Sequence, residues 1–420
     1  MLRVNNNLSR ILIAKFFGTF GSEMLSFAIG LYILRRTGSA LGMGISLVTG
    51  PIVSLCITPF VGYAVDTYSH KKIMIALQLG TIISLLLFAL FFIEFPSIYF
   101  VELVVLITLL AISDGFLTTA VQASLAQLFG KDDLQRAKSL NQSTSSLAEF
   151  LAPVLGAVVY TLISLDMFAY IEVGFETVAL IAIIFLKFLK NSKISDAEDL
   201  QVADTESHIV SNFIEGLRFL WENKLYLVFS GSSGAINFFF ATINIGLPFF
   251  LVDKLHLTNT QYGFTESAFA GGMFLGGLVL SRLNFKNQSL KVAYFSLSIF
   301  SLIVSLIGLP YLIALPKGAY TILFIAINIV LGLLLVFSNT PVDVYMQQHI
   351  PEKMQGRVFS MDETVSSILM PAGTIVFGIL FDQFNTFVVF AFGGLVMLVL
   401  SCWVLIIVSR RKEAAVPISG

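Results

Sequence analysis

The chain has 420 residues, of which 56% are hydrophobic and only 12% charged, with a mean hydropathy of +0.88 and a net charge of −1. A soluble chain carries about 25% charged residues, and this one lacks the polar side chains to cover a water-facing surface of its size. The near-zero net charge gives no bulk attraction to nucleic acid, so no nucleic-acid partner is implied.

The remaining solvent is a lipid bilayer, where only helices and closed barrels satisfy the backbone. Barrel strands alternate apolar and polar residues over about ten positions. This sequence instead contains long unbroken apolar runs such as IMIALQLGTIISLLLFALFFI, which read as helical spans of about 20 residues. In chain order the spans are expected at 11–34, 41–65, 73–93, 99–122, 137–162, 167–189, 224–252, 261–283, 290–312, 318–342, 357–381 and 385–409. The first, Ile11 to Leu34, is too long for a signal-peptide core and reads as a retained span. The expected fold is all-α and integral to the membrane, with twelve transmembrane helices.

An even number of spans puts both termini on one side. With the termini inside, 20 Lys and Arg fall in cytoplasmic segments and 4 outside (Arg35, Arg36, Lys254 and Lys317), with Lys15 inside the first span. Positive charge is retained on the cytoplasmic face, so the termini are expected there. The longest polar stretch, 191–223, reads as a cytoplasmic linker. Its end places Ile209, Phe213, Leu217 and Trp221 at intervals of four, a stripe expected either for an interfacial amphipathic helix or for an extension of span seven. The expected organisation is a six-helix bundle over 1–190, the linker over 191–223, a second bundle over 224–412 and a tail over 413–420. The halves look related. KSLNQSTSSLAEFLAP (138–153) and GRVFSMDETVSSILMP (356–371) both end in a proline, and Gly62 and Gly277 close corresponding spans at a similar offset. Parallel six-span repeats mark two-bundle transporters.

GYAVDTYSHKK (62–72), after span two, resembles the signature of the major facilitator superfamily: a glycine, an aspartate four residues on, then a basic cluster. Thr67, Ser69 and His70 replace the usual basic, glycine and basic residues. In that family the motif is taken to latch the halves in one access state, which implies a gating role for Gly62, Asp66, Lys71 and Lys72. RRTGSALG (35–42), EGLRFL (215–220) and GRVFS (356–360) resemble the macrolide-efflux and enterobactin-exporter branch. LAPVLGAVVY (151–160) resembles the antiporter motif of exporters, in which proline and glycines bend the helix; Pro153 and Gly156 remain, Ala152 and Ala157 replace glycines, and Pro371 is the counterpart in span eleven. Span four carries ISDGF (112–116) without the arginine of many proton-coupled members. An acidic group would then carry any coupled proton.

Ionisable groups inside spans are costly, roughly 2.5–3.5 kcal/mol on insertion scales, and so face a cavity or a partner. Glu23, Asp114 and Glu149, in spans one, four and five, are candidates for proton or cation binding. Asn237 and Asn244, in span seven, are candidate substrate contacts. The alternative for each is a satisfied hydrogen-bond partner between helices. Lys15, two turns before Glu23, is a possible partner for an acid. Glu172 and Glu176, in span six, are expected near the outer surface, and Glu266, Asp362 and Glu363 near span ends. Some of the 40 phenylalanines would suit a bulky amphipathic substrate.

There is no GxxxxGK[ST] phosphate loop, no HExxH and no GxSxG, and the four histidines show no metal-ligand spacing. No catalytic residue, cofactor or metal is therefore expected, and an ion gradient is left as the energy source. The resemblance implies a bacterial cell-membrane exporter. It would exchange a lipophilic drug-like, macrolide-like or siderophore-like molecule for protons by alternating access. The rival readings are a proton-coupled uptake symporter and a non-transporting membrane partner protein.

Overall fold

The computed structural model describes residues 6–129, 131–187, 218, 221, 223–283, 288–312, 315–350 and 352–410. Twelve long helices lie among them, matching the expected spans in order. The first six are α1 (Asn6–Thr37), α2 (Ala40–Thr67), α3 (His70–Glu94), α4 (Tyr99–Leu128), α5 (Lys131–Leu162) and α6 (Leu165–Ile184). Then follow α7 (Lys224–Phe249, continued by a π turn over Phe250–Lys254), α8 (Asn259–Leu280), α9 (Ser289–Leu306), α10 (Lys317–His349), α11 (Glu352–Gln383) and α12 (Thr386–Arg410). Eleven of these described helices are long and apolar enough to cross a bilayer; in α11 the apolar stretch, Ile368–Gln383, is shorter. The linker stripe lies outside the described residues except at Trp221.

The chain divides into two compact units, Met1–Asp199 with Thr258–Ser267, and Leu200–Leu257 with Ala268–Gly420. In the first unit α1 packs on α5 and α6, and α3 on α4 and α6. In the second, α7 packs on α11 and α12, and α9 on α10 and α12. Each pairing recurs six helices later, the pattern expected of a duplicated bundle.

Why these sequences form bundles is clearest at α12. Val388, Phe392, Leu395, Val399, Trp403 and Ile406 are exposed at helical spacing. Val389, Phe390, Gly393, Met397, Ser401, Val404 and Val408 form the buried face. Both faces are apolar, so hydrophobicity cannot choose the packing face in lipid; close approach at small residues does. In the second unit a side-chain carbon at Gly272 would strike the Ile329 backbone, and one at Gly332 the Phe269 carbonyl. In the first unit one at Gly156 would lie 3.4 Å from the Met24 carbonyl oxygen, so this glycine lets α5 lie close on α1. Helix α5 runs unbroken through Pro153, and α11 through Pro371.

Two resemblance motifs resolve into helix-end chemistry. In RRTGSALG, Gly38 takes a left-handed φ of 61° and its N–H donates to the Leu34 carbonyl (2.9 Å), ending α1. The Ser39 Oγ then accepts from the Gly42 N–H (3.0 Å), capping α2. Arg36 sits 4.2 Å from the Tyr99 ring centroid and donates to Tyr32 Oη (2.6 Å). The second motif corrects the sequence reading: GYAVDTYSHKK is not a loop. Gly62 and Asp66 lie within α2, Lys71 and Lys72 in the first turn of α3, and only Tyr68 and Ser69 intervene. Polar residues extend a helix beyond its apolar run, which hydropathy alone does not register. Lys71 Nζ donates to the carbonyl oxygens of Ile184 (2.6 Å) and Leu186 (2.7 Å) at the end of α6. A cation there satisfies orphan carbonyls and complements the helix dipole. Lys72 is exposed, and the side chain of Asp66 lies outside the described residues.

Candidate functional site

Three helices of the first unit carry polar residues at helical spacing, those on α1 and α4 within largely apolar sequence. Helix α1 presents Lys15, Thr19, Ser22 and Glu23; α4 presents Asp114, Thr118 and Gln122; α5 presents Asn141, Ser145 and Glu149. At 3.6 residues per turn each set forms one stripe, and the stripes converge on a common space. That space is a cavity of ≈ 370 Å³, also lined by Gln78 of α3 and Glu176 of α6. Its size is that of a small-molecule pocket.

Glu23, Asp114 and Glu149 thus share one cavity and are all open to it. The Ser22 hydroxyl donates to Asp114 Oδ2 at 3.4 Å. Lys15 lines the same space, yet no ion pair joins it to Glu23, Asp114 or Glu149 among the described residues. The cavity acids are therefore not locked to a fixed cation. Carboxylates in that condition can take up and release protons or meet a cationic group. Among the described residues no group of three or more His, Cys, Asp or Glu is placed to hold a metal ion.

One expectation needs correction. Glu172 and Glu176 are not at a membrane surface: they lie mid-helix in α6 and are 2% and 4% exposed. Glu172 packs its carboxylate against Gly21 of α1, and Glu176 faces the cavity. Their depth along the chain was misjudged because α6 ends at Ile184, short of the expected span end. Asn237 and Asn244 lie on α7 in the second unit and do not line this cavity; Asn237 Nδ2 donates to the Ser233 carbonyl (3.1 Å) within its own helix. Glu266 lies about two turns into α8, and the side chains of Asp362 and Glu363 lie outside the described residues. Gln78, Asn141 and Ser145 were missed as site residues; the run NQSTSS (141–146) is polar at every position and gives no helical phase.

The comparisons with known proteins agree with the resemblance. The family model described as Major Facilitator Superfamily matches residues 11–374 and, again, 238–419. Macrolide efflux protein A of Streptococcus pyogenes is 27% identical over 364 residues, 86% of this chain and 86% of that protein. The crystal structure of the nucleoside transporter NupG matches with a TM-score of 0.74 at 14% identity, covering 97% of this chain and 100% of that one. A bacterial homologue of the iron transporter ferroportin, in an inward-facing state, matches with a TM-score of 0.70 at 15% identity over 98% of this chain and 100% of that one. At such identities the two structures speak for the fold alone. The chain is a multi-pass membrane transporter rather than an enzyme, and it belongs to the Major Facilitator Superfamily.

Proposed function

We propose that the protein exports a lipophilic, macrolide-like molecule from a bacterial cytoplasm in exchange for protons, by alternating access, with both termini cytoplasmic. The observation that carries the proton half is the first-unit cavity. Three carboxylates on three helices, Glu23, Asp114 and Glu149, open into one space and none has a fixed cationic partner among the described residues. Asp114, held by Ser22, is the group we assign the coupled proton. The substrate half is supported by the relatives named for macrolide efflux. The tally of basic residues supports the orientation.

The cycle follows from charge. A cavity with ionised acids attracts protons or a basic amine; with its acids protonated it carries no negative charge and no longer holds a cation. Exchange of the two occupants then couples the flows, because binding one alters the free energy of the other. The test is accumulation of labelled erythromycin, a macrolide bearing a basic amine, by reconstituted protein under an imposed pH gradient. Accumulation on the acidic side that collapses with a protonophore is expected. Accumulation on the alkaline side would instead establish an uptake symporter. Equality with empty liposomes would remove the macrolide reading.

A further inference from the structure

Glu172 and Glu176 sit one turn apart on α6 and are the only acids fully buried among the described residues. The Oε2 atom of each has no hydrogen-bond partner. The Gln78 amide, 2% exposed, spends its Nε2 donor on the Glu176 backbone carbonyl (3.2 Å) rather than on either carboxyl. An ionised carboxylate without a partner is among the most expensive groups to bury, and such a group neutralises instead. Two of them at adjacent turns add mutual repulsion, which a shared proton removes.

Lys15 on the cavity wall is the one nearby cation of the described residues not committed elsewhere, and it forms no ion pair with either carboxylate. Helix α6 packs on α1 and α3, with a smaller contact to α5. From α1 the ionisable neighbours are Lys15 and Glu23, and α5 supplies Glu149, all on the cavity wall. Helix α4 adds Asp114 across the cavity, another negative group. From α3, Lys71 is committed to the carbonyls at the end of α6. Glu172 is closed off by Gly21, whereas Glu176 opens to the cavity that Asp114 also lines.

We propose that Glu172 and Glu176 form a proton-binding carboxyl pair that exchanges one proton with the cavity, a second titrating site beside the face formed by Glu23, Asp114 and Glu149. In the exchange the O–H bond of Glu176 breaks, its proton passes through cavity water to the Asp114 carboxylate, and the charge left on Glu176 is shared with protonated Glu172. Return of a proton from the cavity resets the pair. Gly21 is what makes room for the inner carboxyl.

The presence of the proton is independent of any transport reading; its movement during transport rests on the proton coupling proposed above. Two measurements on the full chain separate them. The first is infrared spectroscopy of lipid-reconstituted protein carrying carbon-13 glutamate, titrated with pH. A protonated glutamate band at neutral pH is expected, weakened in both Glu172→Gln and Glu176→Gln. Absence of any such band in the unaltered protein overturns the proposal without recourse to a variant. The second is the limiting accumulation of erythromycin under a pH gradient of one unit. Losing one coupled proton lowers it about tenfold, as one unit of pH is one factor of ten in proton activity, and Glu176→Gln is expected to show that loss. A band that disappears in the variants while accumulation is unchanged makes the pair a fixed structural proton and overturns the exchange. If the unaltered protein accumulates no erythromycin, the reading as a macrolide exporter fails, and pH-dependent loss of the band still decides the pair.

Discussion

The two six-helix units share one packing scheme and differ in the polar groups placed within it. In the first, the small residue is on the first helix and the large polar one on the sixth: Gly21 of α1 receives the Glu172 carboxylate of α6. In the second the order is reversed, with Gly393 of α12 packed against Thr242 of α7. Around that contact the first unit opens a polar cavity. Both units pack rings there: Phe20 meets Phe175 at 5.6 Å in the first, while in the second Phe240 stacks on Phe300 at 5.8 Å and Phe390 meets both Phe381 (5.0 Å) and Phe250 (5.8 Å). Its buried polar groups are hydroxyls and an amide, for instance Ser298, which donates to Ser401 Oγ of α12 at 3.0 Å. A duplicated scaffold can thus keep its helix pairings while, among the described residues, the buried acids lie in one copy. The pairings depend on where backbones approach; the chemistry depends on what fills the space left over.

That contrast can be broken by substitution. The largest effect is expected from Phe300→Ala, which removes a fully buried ring from the second unit and should cost about 3–5 kcal/mol. A detergent-solubilised thermal melt unchanged from the parent would show that the second unit does not depend on its rings. Gly272→Ala comes next. Its new methyl meets the Ile329 backbone, which cannot rotate away, so overpacking of about 1–3 kcal/mol should lower the same melting temperature. Lys71→Met sharpens the reading of the signature motif. If the lysine's contribution is to hold the end of α6, stability falls by about 0.3–1 kcal/mol. Faster amide exchange near Ile184 should accompany it, and unchanged exchange there would return the residue to a purely gating role. Ser298→Ala should be the smallest, near 0.6 kcal/mol, because interhelical hydroxyl bonds in lipid compete with back-bonding to the helix's own carbonyls.

Much of this was legible beforehand, for definite physical reasons. A span must bury about 20 apolar residues, so hydropathy marks each one, and Glu23, Asp114 and Glu149 stand out as ionisable groups inside such spans. Helix ends were less legible: Gly62 and Asp66 belong to α2 because nothing in a polar sequence forbids another turn. Helical face was the least legible. In a helix apolar on both sides, hydropathy does not say whether Glu176 points to lipid, a neighbour or a cavity. The run NQSTSS (141–146) is polar at every position, so it did not say which face Asn141 and Ser145 occupy.

The central claim is that the coupling groups belong to the first unit. It is tested most directly by erythromycin-driven proton movement in proteoliposomes containing the parent protein, Asp114→Asn or Asp343→Asn, the last an exposed acid on α10 in the second unit. The account predicts that proton movement falls to background in Asp114→Asn and persists in Asp343→Asn. Persistence in the first with loss in the second would contradict it and move the coupling site to the other unit.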